Sequence, residues 1–275
     1  MGTPPKPPDT TDDLDASRAP FMEHLEELRT RILRALIAVG ICAVGSYLAH
    51  DEIFHFLTGP LYDVMAEKGL GDRLVYRSLG GVFAFHMQTA GLGGLFFGMP
   101  FVLWQLWQFV GPGLYRRERG IVLPFVFAST VCFAGGALFA HAFVLRPTVD
   151  FLLDYSISEG PQRLMPDINI EEYLSFVVKL MLGFGFAFEM PTIAAFLAMV
   201  GVLTHRALIA VWRYAIVAIF IIAAILTPPD VISQLFMAVP LLLLYGVSIG
   251  VTYAITRRRE RASQVSPPVS NDDKG

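Results

Sequence analysis

The chain has 275 residues, of which 54% are hydrophobic and only 16% charged, and its formal net charge is −3. A soluble domain of this length carries roughly 25% charged residues, so a soluble globular class is excluded, and the lack of a basic stripe excludes nucleic acid as a partner. Cys42 and Cys132 lie inside apolar runs and read as packing residues, with no disulfide framework and no metal-type spacing.

Residues 1–20 are rich in Pro, Asp and Thr and read as a disordered tail. They do not read as a cleaved signal peptide, because the first apolar run starts only near Ile32 and is long enough to remain as an anchor. The segment FMEHLEELRTRIL (21–33) leads into it. There Leu25, Leu28 and Ile32 recur at helical spacing, Glu23, Glu26 and Glu27 precede Arg29, Arg31 and Arg34, and Glu27–Arg31 forms a favourable i,i+4 pair.

A spanning helix needs about 20 mostly apolar residues. Candidates lie at 32–49, 82–110, 121–145, 173–200, 207–226 and 231–255. The expected fold is therefore an all-α integral membrane protein with a six-span domain over 21–256. Residues 257–275 follow as a basic and then disordered tail. Val82 to Val110 would be about 43 Å long as one helix, more than the bilayer core needs. Pro100 is a kink site inside it, as Pro191 and Pro240 are in the fourth and sixth spans. The fifth span is short: Arg213 interrupts it, leaving Tyr214–Thr227, about 21 Å of helix. The TPPD link (227–230) ends that helix, and Asp230 is placed to cap the next.

Orientation follows from the positive residues. With the N-terminus inside, Arg29, Arg31, Arg34, Arg116, Arg117, Arg119, Arg206 and Arg257–Arg259 fall inside, against Lys68, Arg73, Arg77, Arg146 and Arg163 outside. Both ends are expected in the cytoplasm.

Glu189, in GFGFAFEMPT, lies well inside the fourth span, where an acid costs about 2.5–3.5 kcal/mol. It reads either as a protonated acid bonded inside the bundle or as a polar contact for a partner helix or transported polypeptide. Gln88, Gln105, Gln108 and Gln234 are milder anomalies of the kind that bridge helices. His86 and His141 read as interfacial or bonded side chains. No nucleophile–base motif, Walker motif or metal-ligand spacing occurs, so no catalytic residue, metal or cofactor is expected. On the inner face, QLWQFVGPGLYRRERG (105–120) places Glu118 among Arg116, Arg117 and Arg119. Two acidic groups at one membrane surface beside a kinked helix suit an arginine-bearing ligand, because guanidinium pairs bidentately with carboxylate.

Four segments carry a resemblance: HLEELRTR (24–31), FGMPFVLWQLWQFVGPGLYRRER (97–119), YLSFVVKLMLGFGFAFEMP (173–191) and LTPPDVISQ (226–234). In this order and spacing the chain resembles the TatC family, the multispan core of the twin-arginine protein translocase, over roughly residues 20–256. The resemblance implies a concave, glove-like arrangement of six spans in the bacterial cytoplasmic (inner) membrane. It implies recognition of twin-arginine signal peptides of folded cargo, Sec-independent export driven by the proton-motive force, and self-association into a multimeric receptor complex. By the same resemblance Glu27, Arg29, Phe109 and Glu118 fall on the signal-peptide site. Glu189, Asp230 and Gln234 fall on intramembrane polar positions, and Pro60 on a proline of the first outer loop. The last two spans resemble the face where the single-span partners TatA and TatB dock. Gly113-Leu114-Tyr115 departs mildly from the family's Ala-Leu-Tyr, the first outer loop carries RSLGGVF where relatives often hold an acid, and the basic RRRER tail reads as a membrane-surface anchor. The alternative reading is a proton-coupled secondary transporter of a small solute with Glu189 as carrier. It lacks an internal repeat and a midplane cluster of ionisable groups.

Overall fold

A computed structural model of the chain describes residues 10–71, 74–75, 80–110, 122–158, 167–228 and 230–265. These residues build α1 (Thr10–Leu48), α2 (His50–Glu67), α3 (Gly81–Val110) and α4 (Val122–Phe139). A π-helical segment, Ala140–Leu145, joins α4 to α5 (Arg146–Ser158), and α6 (Ile170–Val200), α7 (His205–Ala210), α8 (Trp212–Leu226) and α9 (Val231–Val265) complete the order. Five helical stretches are long and apolar enough to cross a membrane, and α8, at 15 residues, is the sixth, short crossing. Among the described residues the one strand-like pairing joins Val75 to Asn169.

Several boundaries differ from expectation. Residues 10–20, expected as a disordered tail, continue α1. Residues 257–265, expected as a tail, continue α9. The fifth span is broken at Val211, two residues before Arg213, so His205–Ala210 forms a separate short helix capped by the Thr204 hydroxyl. The first outer loop, for which no helix was expected, contains α2, which buries Leu57, Leu61, Val64 and Met65 at helical spacing. The expected Pro60 lies inside this helix, and the expected Pro100 inside α3, which continues through it.

The core has two parts. The larger part unites Leu57, Leu61 and Val64 of α2 with Val177, Leu180 and Phe184 of α6 and Met237 and Leu241 of α9. A smaller cluster unites Met99, Leu103 and Trp107 of α3, Val126 and Phe133 of α4, and Phe196 of α6. Among the described residues neither α1 nor α9 contributes a buried residue to that smaller cluster.

The α1–α3 contact is close because α3 offers Gly94 and Gly98, one small-xxx-small step. A Cβ on Gly94 would stand 2.5 Å from the Ala43 Cβ, and one on Gly98 would stand 3.1 Å from the Val39 Cα. Gly136 of α4 likewise admits the Phe184 carbonyl of α6. The Gly201 end of α6, at φ +88°, is covered by Arg259, whose Nη1 donates to the Ala198 carbonyl at 3.1 Å. At least one arginine of the basic tail thus caps a helix, which is favourable at a C-terminus.

Candidate functional site

The acidic stretch at the entry of α1 meets the inner end of α3. Arg31 donates from Nε (2.9 Å) and Nη2 (2.6 Å) to the Glu27 Oε1, and from Nη1 (2.9 Å) to the Gln108 Oε1. The His24 ring stacks on Phe109 with centroids 4.3 Å apart and planes 13° apart, and its Nδ1 lies 3.6 Å from the Glu27 Oε2. Together they hold one guanidinium on three contacts beside a stacked ring pair. A cavity of about 440 Å³ opens here, lined by Glu23, Glu26, Glu27, Thr30, Arg31 and Arg34. Of the expected binding residues, the structure brings Glu27 and Phe109 to one place. Arg29 is exposed and makes no ion pair among the described residues. Glu118 lies outside the described residues. Sequence reasoning anticipated the Glu27–Arg31 pair but did not assign Arg31, Gln108 or His24 to the site. The signal for Gln108 was its amide, one residue before Phe109.

Glu189 is buried, with 5% of its surface exposed. The Ser129 hydroxyl lies beside its carboxylate, and the Ser129 Oγ accepts from Trp107 Nε1 at 2.9 Å. One polar line therefore crosses α3, α4 and α6, while the Glu189 Oε1 is buried without a hydrogen-bond partner among the described residues.

Asp230 and Gln234 sit elsewhere. The Asp230 Oδ1 accepts from the Ser233 N–H at 2.7 Å, the cap expected for α9, and Gln234 Nε2 donates to the Phe220 carbonyl of α8 at 2.9 Å. The structure does not join these three residues: Asp230 and Gln234 bond at the α8–α9 turn, and Glu189 stands apart from them on α6.

On the outer side Pro60 has no N–H to give the Phe56 carbonyl, four residues back. His141, on the π-helical segment, brings its Nε2 to 2.8 Å from that oxygen, and its ring stacks on Phe56 at 4.0 Å. The neighbouring Leu57 carbonyl accepts from the Tyr173 hydroxyl at 2.8 Å. The far end of α2 is tied to α5: Arg146 Nη2 lies 2.5 Å from the Glu67 Oε1, and Lys68 bridges Asp150 (2.7 Å) and Asp154. Burial alone would lower the Lys68 pKa, but the hydrogen bonds and charges of Asp150 and Asp154 outweigh it and hold the ammonium above the ordinary lysine range. His86, expected as a bonded or interfacial side chain, meets His50 edge to face at 4.6 Å. Among the described residues no three of His, Cys, Asp and Glu converge as a metal site.

Six crossings and a carboxylate-rich cavity at the entry of α1 define a multi-pass membrane protein. The family model described as Sec-independent protein translocase protein (TatC) matches residues 23–240. A TatC protein of Koribacter versatilis is 38% identical over 252 residues, covering 89% of this chain and 90% of that relative. One of Desulforapulum autotrophicum is 37% identical over 235 residues, covering 86% and 84%. A crystal structure described as the twin arginine translocase receptor TatC superposes with a TM-score of 0.76 at 34% identity, covering 85% of this chain and all of that one. The chain belongs to the TatC family of Sec-independent protein translocase proteins, a non-enzymatic family. The alternative of a small-solute transporter finds no support among these relatives.

Proposed function

We propose that this chain receives twin-arginine signal peptides at the cytoplasmic face of a bacterial inner membrane, as the core receptor of the translocase that exports folded proteins. The carrying observation is the hold on Arg31 by Glu27 and Gln108 beside the His24–Phe109 stack. A signal-peptide arginine presents the same planar fork. Glu23, Glu26 and Glu27 outnumber Arg31 and Arg34 around the cavity, so it favours a further cation. An incoming arginine shares or replaces Arg31 at Glu27, and Glu118, by family resemblance, takes the second.

Each such exposed pair contributes only about 0–1 kcal/mol. Most of the affinity therefore comes from apolar contact along α1 and α3, where Ile37, Ile41 and Phe101 are exposed, and from partner subunits. The orientation rests on the arginines flanking α1, α7 and the end of α9, which place both termini inside. Export draws on the proton-motive force, as the family resemblance implies.

TatA- and TatB-type single-span helices are the partners we assign to α8 and α9 and to Glu189, and the receptor self-associates into a multimer. The buried Glu189 Oε1 without a partner supports the second of these contacts, because a polar group on an incoming helix would satisfy it.

The test is photocrosslinking of a twin-arginine peptide to the protein in native membranes, with Glu27→Ala, Glu118→Ala and Glu189→Ala. The first two lose the crosslink, whereas the third keeps it and loses co-purification of the single-span subunits. Full crosslinking in both Glu27→Ala and Glu118→Ala removes the site assignment. Loss of the crosslink with intact assembly in Glu189→Ala reverses the division of labour.

A further inference from the structure

A second cavity, of about 390 Å³, opens between the start of α6 and the end of α8, lined among others by Glu171, Glu172, Ser175, Lys179, Leu226 and Thr227. We infer that it binds the headgroup of a zwitterionic aminophospholipid, with Lys179 on the phosphate and Glu171 and Glu172 on the primary ammonium.

The first argument is position. Glu171, Ser175 and Lys179 follow one another at four-residue steps, so they share one face of α6. Lys179 lies seven residues deeper than Glu172, about 10 Å nearer the bilayer centre. From the centre outward, the cavity thus presents apolar wall, cation, then carboxylates. A phosphatidylethanolamine presents acyl chain, phosphate, then ammonium in the same order. The match holds in either leaflet, because the N-terminal end of α6 points out of the membrane in both orientations.

The second argument is depth. A lysine this far along a spanning helix is costly in hydrocarbon. Lys179 is nevertheless exposed and makes no ion pair among the described residues. The resolution is the short α8. Its 15 residues cover about 22 Å of a core about 30 Å thick, so the headgroup layer dips where α8 ends. That end, Thr227 and Pro228, is the opposite wall of this cavity. Lys179 therefore meets the phosphate level at the thinned edge. Leu226, which packs at Gly183 one turn deeper than Lys179, and Ile225 supply the apolar surface for the glycerol and upper acyl carbons.

The third argument is selectivity. A carboxylate accepts hydrogen bonds from a primary ammonium but not from a quaternary one. The two glutamates also oppose a headgroup of net negative charge. Ethanolamine lipids are thus favoured over both choline and glycerol lipids. A protein contact is less favoured, since nothing about an incoming helix requires alternating charge at fixed depths.

The test uses the purified full chain in native mass spectrometry, with equal amounts of palmitoyl-oleoyl phosphatidylethanolamine, phosphatidylcholine and phosphatidylglycerol. Wild type should retain the ethanolamine lipid several-fold over the other two. Lys179→Met should lose that retention, Lys179→Arg should keep it, and Glu171→Gln with Glu172→Gln should bring ethanolamine down to the choline level. A circular-dichroism check confirms that each variant is folded. Equal retention of the three lipids by wild type overturns the proposal, as does a preference for the glycerol lipid, or ethanolamine retention that survives both sets of variants. Crosslinking of a probe at position 179 to another protein in native membranes, with none to lipid, also overturns it.

Discussion

His141 and Phe56 are coupled by a proline that neither of them touches in sequence. Pro60 withdraws the N–H that would bond the Phe56 carbonyl, and the His141 Nε2 takes that place at 2.8 Å while its ring lies flat on Phe56. The π-helical step at Ala140–Leu145 contains His141. The outer cap, α2, is therefore fastened to the bundle at a carbonyl that only a proline leaves open.

This fastening is measurable as an interaction energy. His141→Phe keeps the stacked ring and removes the donor, and should cost about 1–3 kcal/mol in thermal or denaturant unfolding in nanodiscs. Pro60→Ala restores an N–H for the Phe56 carbonyl, so His141→Phe should cost much less in that background. Strict additivity of the two substitutions contradicts the coupling.

The Trp107–Ser129–Glu189 line makes a second prediction. Ser129→Ala strips Trp107 Nε1 of its acceptor and removes the hydroxyl beside Glu189. The expected loss is about 1–3 kcal/mol of stability, with a shift in tryptophan emission. Ser129→Thr should retain most of both. An unchanged melting curve and spectrum for Ser129→Ala would refute the line.

Helix contact carries the receptor surface, because α1 brings Glu27 and α3 brings Gln108 and Phe109. Gly94→Ala drives a Cβ to 2.5 Å from Ala43, whereas Gly91→Ala meets nothing within 4 Å. Gly94→Ala should destabilise by about 1–3 kcal/mol and weaken peptide crosslinking. Gly91→Ala should be neutral or stabilise by up to about 1 kcal/mol. Equal behaviour of the two variants would sink the packing account.

Lys68 gives a pH dependence. Its raised pKa means that its contribution is fully present below the ordinary lysine value of 10.5 and is lost as pH rises through the folded value. Lys68→Met should lower stability by about 1 kcal/mol at neutral pH, a modest figure because Asp150 and Asp154 are well exposed. The gap between wild type and variant should close only above that value. A gap that closes near neutrality contradicts the bridge.

How legible this was in the sequence depended on the distance over which each cause acts. The spans showed because hydropathy is local, and the i,i+4 pair Glu27–Arg31 showed because helix periodicity is local. The helix α2 did not show: its charged residues and Pro60 mask the Leu57–Leu61–Val64 stripe that buries against α6. The break at Val211 did not show either, since VWRY holds neither Gly nor Pro. The hold of Gln108 on Arg31 and the His24–Phe109 stack depend on how α1 docks on α3, which Gly94 and Gly98 decide from far along the chain. That Glu189 stands apart from Asp230 and Gln234 did not show either, because it depends on how α6 packs against α8 and α9 and not on any local signal.

The most direct test of the central claim is export of a folded fluorescent reporter bearing a twin-arginine signal, in cells lacking this chain and complemented with wild type or Glu27→Ala. The account expects no export without the chain, restored export with wild type, and severely reduced export with Glu27→Ala at equal membrane abundance. Export of the reporter at wild-type level in cells lacking the chain would contradict it.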